Sequence, residues 1–183
     1  MKRTSTLNLV FCALFAALTA VCAQFSVPIG PVPISLATFV VYLAGGILGA
    51  SGGAASQILY VLIGAAGLPV FAGFSGGAGV IVGPTGGYLV GYVLCAWIVG
   101  ALSARFGRKT LPLVVSMLAG TAALYFLGTA WFLFLTKRSL WDSLALCVLP
   151  FLPGDAAKIA VSAAIAPQLG KIFDRFSAKG SAA

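Results

Sequence analysis

Long apolar runs alternate along the chain with short breaks rich in glycine, proline or charge, and the breaks define the elements. Apolar stretches cover positions 7–25, 35–48, 53–66, 86–104, 111–135 and 154–176. A helix needs roughly 20 apolar residues to cross the hydrocarbon core of a bilayer, so the pattern predicts about six transmembrane helices. The second and third runs are short and are parted only by a glycine-rich turn at 49–53. The stretch 26–33 crowds three prolines and a glycine into eight positions and cannot continue a helix. The stretch 67–85 is apolar yet broken by six glycines and two prolines, and it carries Phe71 and Phe74. An uncharged aromatic loop of that length is uncommon unless it serves as a lid or binding loop. The run 111–135 reads as the plainest lipid-facing helix. The segment 143–152 is too short to span and is expected to lie at the membrane interface.

Composition makes lipid the natural solvent. Hydrophobic residues fill 61% of the 183 positions and charged residues 8%, against about 25% charged in a soluble domain. Residues 1–183 therefore read as a single all-α integral membrane domain, with no room for an appended catalytic module. The net charge of +8 is not a nucleic-acid footprint. Lys2, Arg3, Arg105, Arg108, Lys109, Lys137, Arg138, Lys171, Arg175 and Lys179 fall in groups that flank apolar runs, the pattern of helix-end charges that set topology. Cytoplasmic termini put 105–109 and both tails inside, and leave 26–33 and 67–85 outside without Lys or Arg. Lys137 and Arg138 are the exception, partly offset by Asp142. This predicts a multi-pass protein of the cytoplasmic membrane.

Lys2, Arg3, the apolar run after them and Val21-Cys22-Ala23 share the layout of a secretory signal. The run 7–25 is nevertheless long enough to span and further spans follow, so a retained first helix is expected. The absence of histidine excludes a Ser-His-Asp triad, His-ligated zinc and His-ligated haem. Cys12, Cys22, Cys95 and Cys147 show no CxxC spacing and read as free thiols within helices. No metal or resident cofactor is implied.

Chemistry concentrates in a few positions. Asp155 and Lys158 stand i,i+3 near the start of the last span and share a helix face. Ionisable residues within a membrane usually pair or line a water-filled cavity. Asp suits the first turn of a helix and Lys does not, so the misplaced cation needs an anion, either Asp155 or a ligand carboxylate. At the start of the fourth span, Gly86 and Gly87 leave backbone N–H groups uncovered, and Tyr88 and Tyr92 share a face. In the expected topology these residues meet the 67–85 loop on the outer side, forming a pocket for a small, mostly apolar ligand with a carboxylate and a hydrogen-bonding head group. In the first span, Ala13/Ala17 and Ala16/Ala20 form two ridges of small residues suited to close helix approach.

Three stretches together, GLPVFAGFSGG at 67–77, GPTGGYLVGY at 83–92 and PFLPGDAAKIA at 150–160, resemble BioY, the biotin-binding S-component family of energy-coupling-factor (ECF) transporters. The resemblance covers essentially the whole chain and implies the six-helix S-component fold with biotin as transported ligand. It implies a site built from Asp155, Lys158, Gly86, Gly87, Tyr88 and Tyr92, with Phe71 and Phe74 closing over the ring system. Asp155 can accept from ureido N–H groups. Lys158 can meet the valerate carboxylate, or donate to the ureido oxygen and pair with Asp155. The resemblance also implies that the alanine ridges Ala13, Ala16, Ala17 and Ala20 dock a transmembrane coupling subunit. The chain has no GxxxxGK[ST] loop, so ATPase subunits would supply energy. Solitary biotin transport, another vitamin as cargo, and an intramembrane enzyme without a convincing nucleophile are the alternatives.

Overall fold

The computed structural model describes residues 6–180, with side chains through 177. Lys2, Arg3 and the side chain of Lys179 lie outside the described part. The described elements are α1 (Thr6–Gln24), a ribbon of β1 (Ser26–Val27) and β2 (Ile34–Ser35), α2 (Ala37–Ala65), α3 (Ala78–Val82), α4 (Gly86–Phe106), α5 (Thr110–Thr136), α6 (Leu140–Cys147) and α7 (Leu152–Gly180). The proline-rich stretch 26–33 becomes this antiparallel ribbon, pairing Ser26 with Ser35 and Val27 with Ile34.

The second and third expected spans prove to be two limbs of α2, hinged at one residue. Gly49 holds φ +76° and ψ −175°, a conformation open essentially to glycine alone. A Cβ placed on Gly53 would lie 2.9 Å from the Cα of Gly45, whereas residues eight apart in a straight helix are separated by about 12 Å. The limbs 37–48 and 50–65 therefore run back along one another. Each is shorter than a full span. Among the described residues, four helices are long and apolar enough to cross a membrane, or five if α6 and α7, bent by 48°, count as one. That is one or two fewer than the six expected, because the second and third expected spans count together as the single helix α2 and α7 carries charges at both ends.

Small residues let the helices close up, as packing in lipid requires. Gly100 of α4 leaves room for the backbone of Gly49 and Ala50, and a Cβ on Gly120 of α5 would meet the Cys95 sulfur at 2.9 Å. The helix α5 keeps most of its surface free of the bundle but turns one stripe inward: Leu113, Met117, Gly120, Leu124 and Gly128 are buried, the spacing of a helix face packed on its neighbours. The two alanine ridges also part company. Ala16 is buried with Ala37, Tyr60 and Phe71, and Ala20 packs against the same cluster. Ala13 and Ala17 remain exposed. All four cysteines are free.

The bundle has two distinct ends. One carries the β1–β2 ribbon, the 67–77 segment, α6 and the first turns of α7. At the other, Arg108 donates to both carboxylate oxygens of Asp174, at 3.0 and 2.9 Å, and to the carbonyl of Ile47 at 3.2 Å. This ties the hinge side of α2 and the α4–α5 connection to α7.

Candidate ligand-binding site

At the ribbon end, the first turns of α7 turn Asp155 and Lys158 into the bundle. Both are buried, at 2% and 9% exposure. Lys158 Nζ donates to Asp155 Oδ1 at 2.8 Å, to Thr38 Oγ1 at 3.0 Å and to the Ser35 carbonyl at 2.6 Å. Its three N–H bonds are thereby all employed. Thr38 Oγ1 in turn donates to Asp155 Oδ1 at 3.1 Å, and Tyr125 donates to Oδ2 at 2.6 Å. A carboxylate offers about four acceptor positions; three are taken, leaving one on Oδ2. The cation misplaced at a helix start is thus answered within the chain by an anion, a hydroxyl and a carbonyl.

Next to this network is a small space of about 30 Å³, lined by Asp155, Lys158, Thr38 and Tyr125. It shares Val32, Pro33, Ser35, Tyr88 and Tyr92 as walls with a larger cavity of about 220 Å³ under the ribbon and the 67–77 segment. The cleft is apolar for most of its length and ionic at its inner end. Tyr88 and Tyr92 line both parts, one helical turn apart. The Tyr88 ring stacks on Phe151 with centroids 6.3 Å apart, and its hydroxyl donates to the Cys147 carbonyl at 3.0 Å. Phe71 is buried in the wall, edge-on to Tyr60 at 5.5 Å, with its ring against Gly64.

Three expected site residues lie elsewhere. Phe74 is 72% exposed and lines neither space. Gly86 and Gly87 are buried, but a Cβ on Gly86 would collide with the Ile81 carbonyl, and one on Gly87 with Trp131. Their job in this structure is close packing of α4 on its neighbours. The start of α4 also leaves fewer amides open than the sequence predicts, since Gly86 N–H donates to Gly83 and Tyr88 N–H to Thr85. Conversely, sequence reasoning passed over Ser35, Thr38, Tyr60 and Tyr125. The available signal was a hydroxyl placed inside an apolar run, which costs free energy in lipid unless a partner waits for it.

Comparison with known proteins bears on the same residues. Residues 1–175 match the profile of the BioY family. The chain belongs to the BioY family. Among its relatives, a biotin transporter BioY of Thermotoga maritima is 40% identical over 165 residues, covering 90% of this chain and 96% of that protein. A biotin transporter BioY of Rhodobacter capsulatus is 38% identical over 180 residues, covering 91% and 92%. Among solved structures, the S-component for biotin from an ECF-type ABC transporter superposes with a TM-score of 0.85 at 28% identity, covering 93% of this chain and 94% of that one. In this BioY-family chain the two glycine-rich stretches and the distant 150–160 stretch meet at one cleft. Residues 67–77 supply Phe71, 83–92 supply Tyr88 and Tyr92, and 150–160 supply Phe151, Asp155 and Lys158.

Proposed function

We propose that this membrane protein captures biotin in the cleft, as the substrate-specific S-component of an ECF-type transporter. The observation that carries the reading is an apolar, tyrosine-walled cleft ending on a buried Asp155–Lys158 pair with one acceptor position to spare. The names of its BioY relatives and of the superposing S-component support it. Biotin joins a compact ring system with two ureido N–H groups to a short chain ending in a carboxylate. A ureido N–H satisfies the free position on Asp155 Oδ2 without disturbing the network. A carboxylate at the same place would need Lys158 to give up Ser35, Thr38 or Asp155. The head group therefore enters first and the valerate points toward the ribbon and the 67–77 segment. At about 220 Å³ the main cavity is smaller than the roughly 300–1,000 Å³ of drug-sized sites, in keeping with a small vitamin.

The chain is a transport component and not an enzyme. It carries no phosphate-binding loop of its own, so a separate coupling subunit and ATPase subunits would drive release to the other side. In this arrangement the protein sits in the cytoplasmic membrane with both termini inside and the ribbon end outside.

Titration of the purified protein with biotin and with biotin amide tests both the ligand and its orientation. We expect one tightly held, unmodified biotin per chain, and an amide that binds within several-fold of it. Asp155→Asn should cost about 2 kcal/mol or more, because it leaves Lys158 buried beside a neutral partner. Lack of biotin binding, or wild-type affinity in Asp155→Asn, overturns the assignment.

A further inference from the structure

One wall of the cleft is fastened by a side chain that lines neither space. Gln24, the last residue of α1, directs its amide nitrogen at the carbonyls of Ala20, Val70 and Phe71, at 3.0, 3.1 and 3.2 Å. Its amide oxygen accepts from the Phe74 N–H at 2.9 Å. Two N–H bonds thus serve three carbonyls, one of them shared. The reverse amide orientation would face oxygen with three carbonyl oxygens, so the network itself fixes the assignment. The segment held in this way is the one that presents Phe71, Ala72 and Ser75 to the 220 Å³ cavity, and Ala23, beside Gln24, lines the facing wall. Within the segment, Phe71 bridges to Ser75 and the Ser75 hydroxyl donates to the Ala72 carbonyl at 2.9 Å. The helix α2 holds it through the Gly77 N–H on the Gly64 carbonyl at 2.7 Å and the Tyr60 hydroxyl on the Val70 carbonyl at 3.3 Å, and Gln24 is its tie to α1.

We infer that Gln24 is a latch: it holds the 67–77 segment closed over the cleft and makes its opening depend on the position of the C-terminal end of α1. Parting the segment from α1 breaks the bonds to Val70, Phe71 and Phe74 together, since one carboxamide supplies all of them. Any displacement of the end of α1 is therefore felt at the Phe71 wall without passing through the Asp155–Lys158 pair. Gln24 does not itself line the cleft and acts through the backbone of the Phe71 wall, as a positioning residue. The inference rests on the cleft being the ligand site, but the latch itself can be examined without ligand.

Amide hydrogen exchange in the empty protein, comparing wild type with Gln24→Ala and Gln24→Met, tests the latch directly. The Phe74 amide should exchange at least about tenfold faster in both variants, while α4 and α5 keep wild-type protection. Biotin release, followed by chase with unlabelled ligand, should accelerate by about tenfold or more, and binding should also become faster. Unchanged exchange at Phe74 overturns the latch. Uniformly faster exchange throughout the bundle also overturns it, by assigning Gln24 a general structural role. Absence of biotin binding in the wild type would sink the functional reading instead and leave the exchange result to judge the latch.

Discussion

Asp155 and Lys158 hold the fold through their buried pair and, in the proposed site, would also meet the ligand, two roles that a single substitution cannot separate. Removing either partner strands a charge in a dry interior, which costs about 3–5 kcal/mol. Lys158→Met should therefore lower thermal stability sharply as well as weaken binding. Replacing both partners with apolar residues of similar size is often neutral or better for a buried pair. The Asp155→Leu/Lys158→Met double variant should thus recover most of the melting temperature and still fail to bind biotin. A double variant that binds normally would reduce the pair to a structural fastener. Tyr125→Phe removes one hydrogen bond to a charged group and should destabilise the protein by about 1.5–3 kcal/mol, measured by thermal unfolding in detergent.

At the level of elements, glycine does the shaping, and different glycines do it for different reasons. Gly49 supplies a backbone conformation, φ +76° with ψ −175°, and Gly49→Ala should cost about 1–3 kcal/mol. Gly53 supplies space, because a Cβ there meets the Gly45 backbone at 2.9 Å, so Gly53→Ala should prise the two limbs of α2 apart. Gly79 has nothing within 4 Å of an added Cβ and is the natural control; Gly79→Ala should melt with the wild type. Gly64 couples packing to function. Any side chain there collides with the Phe71 ring, so Gly64→Ala should displace the cleft wall and weaken biotin binding. Retained affinity in that variant would show that the wall position is not critical.

For the whole molecule, the exposed face of α1 and the orientation of the bundle yield separate expectations. Ala16 is 2% exposed, whereas Ala17 lies on the surface beside Leu14 and Leu18. Ala17→Leu should leave biotin binding intact and impair assembly with a coupling subunit, read by co-purification. Ala16→Leu should instead overfill the core and cost about 1–3 kcal/mol of stability. For orientation, Ile29→Cys on the ribbon and Lys109→Cys between α4 and α5 should react with a membrane-impermeant thiol reagent from opposite sides. Labelling of Ile29→Cys only from inside would invert the proposed topology.

Membrane residence, the helical architecture, the glycine turn at 49–53 and the pairing of Asp155 with Lys158 could all be read from the chain. Hydropathy, helix breakers and the cost of a charge in lipid are local properties that act within a few residues. The resemblance carried by three short stretches reached as far as the family. Folding alone decided which side chains meet. Thr38 lies 117 positions from Asp155, and Tyr125 lies 30 away on a helix whose uniform apolarity hid an inward stripe. Gly86, Gly87 and Phe74 belong to the right stretches, yet they serve packing or lie exposed on the surface. Composition can require that a buried charge find partners, but only the angles and rotations of packed helices determine which ones it finds.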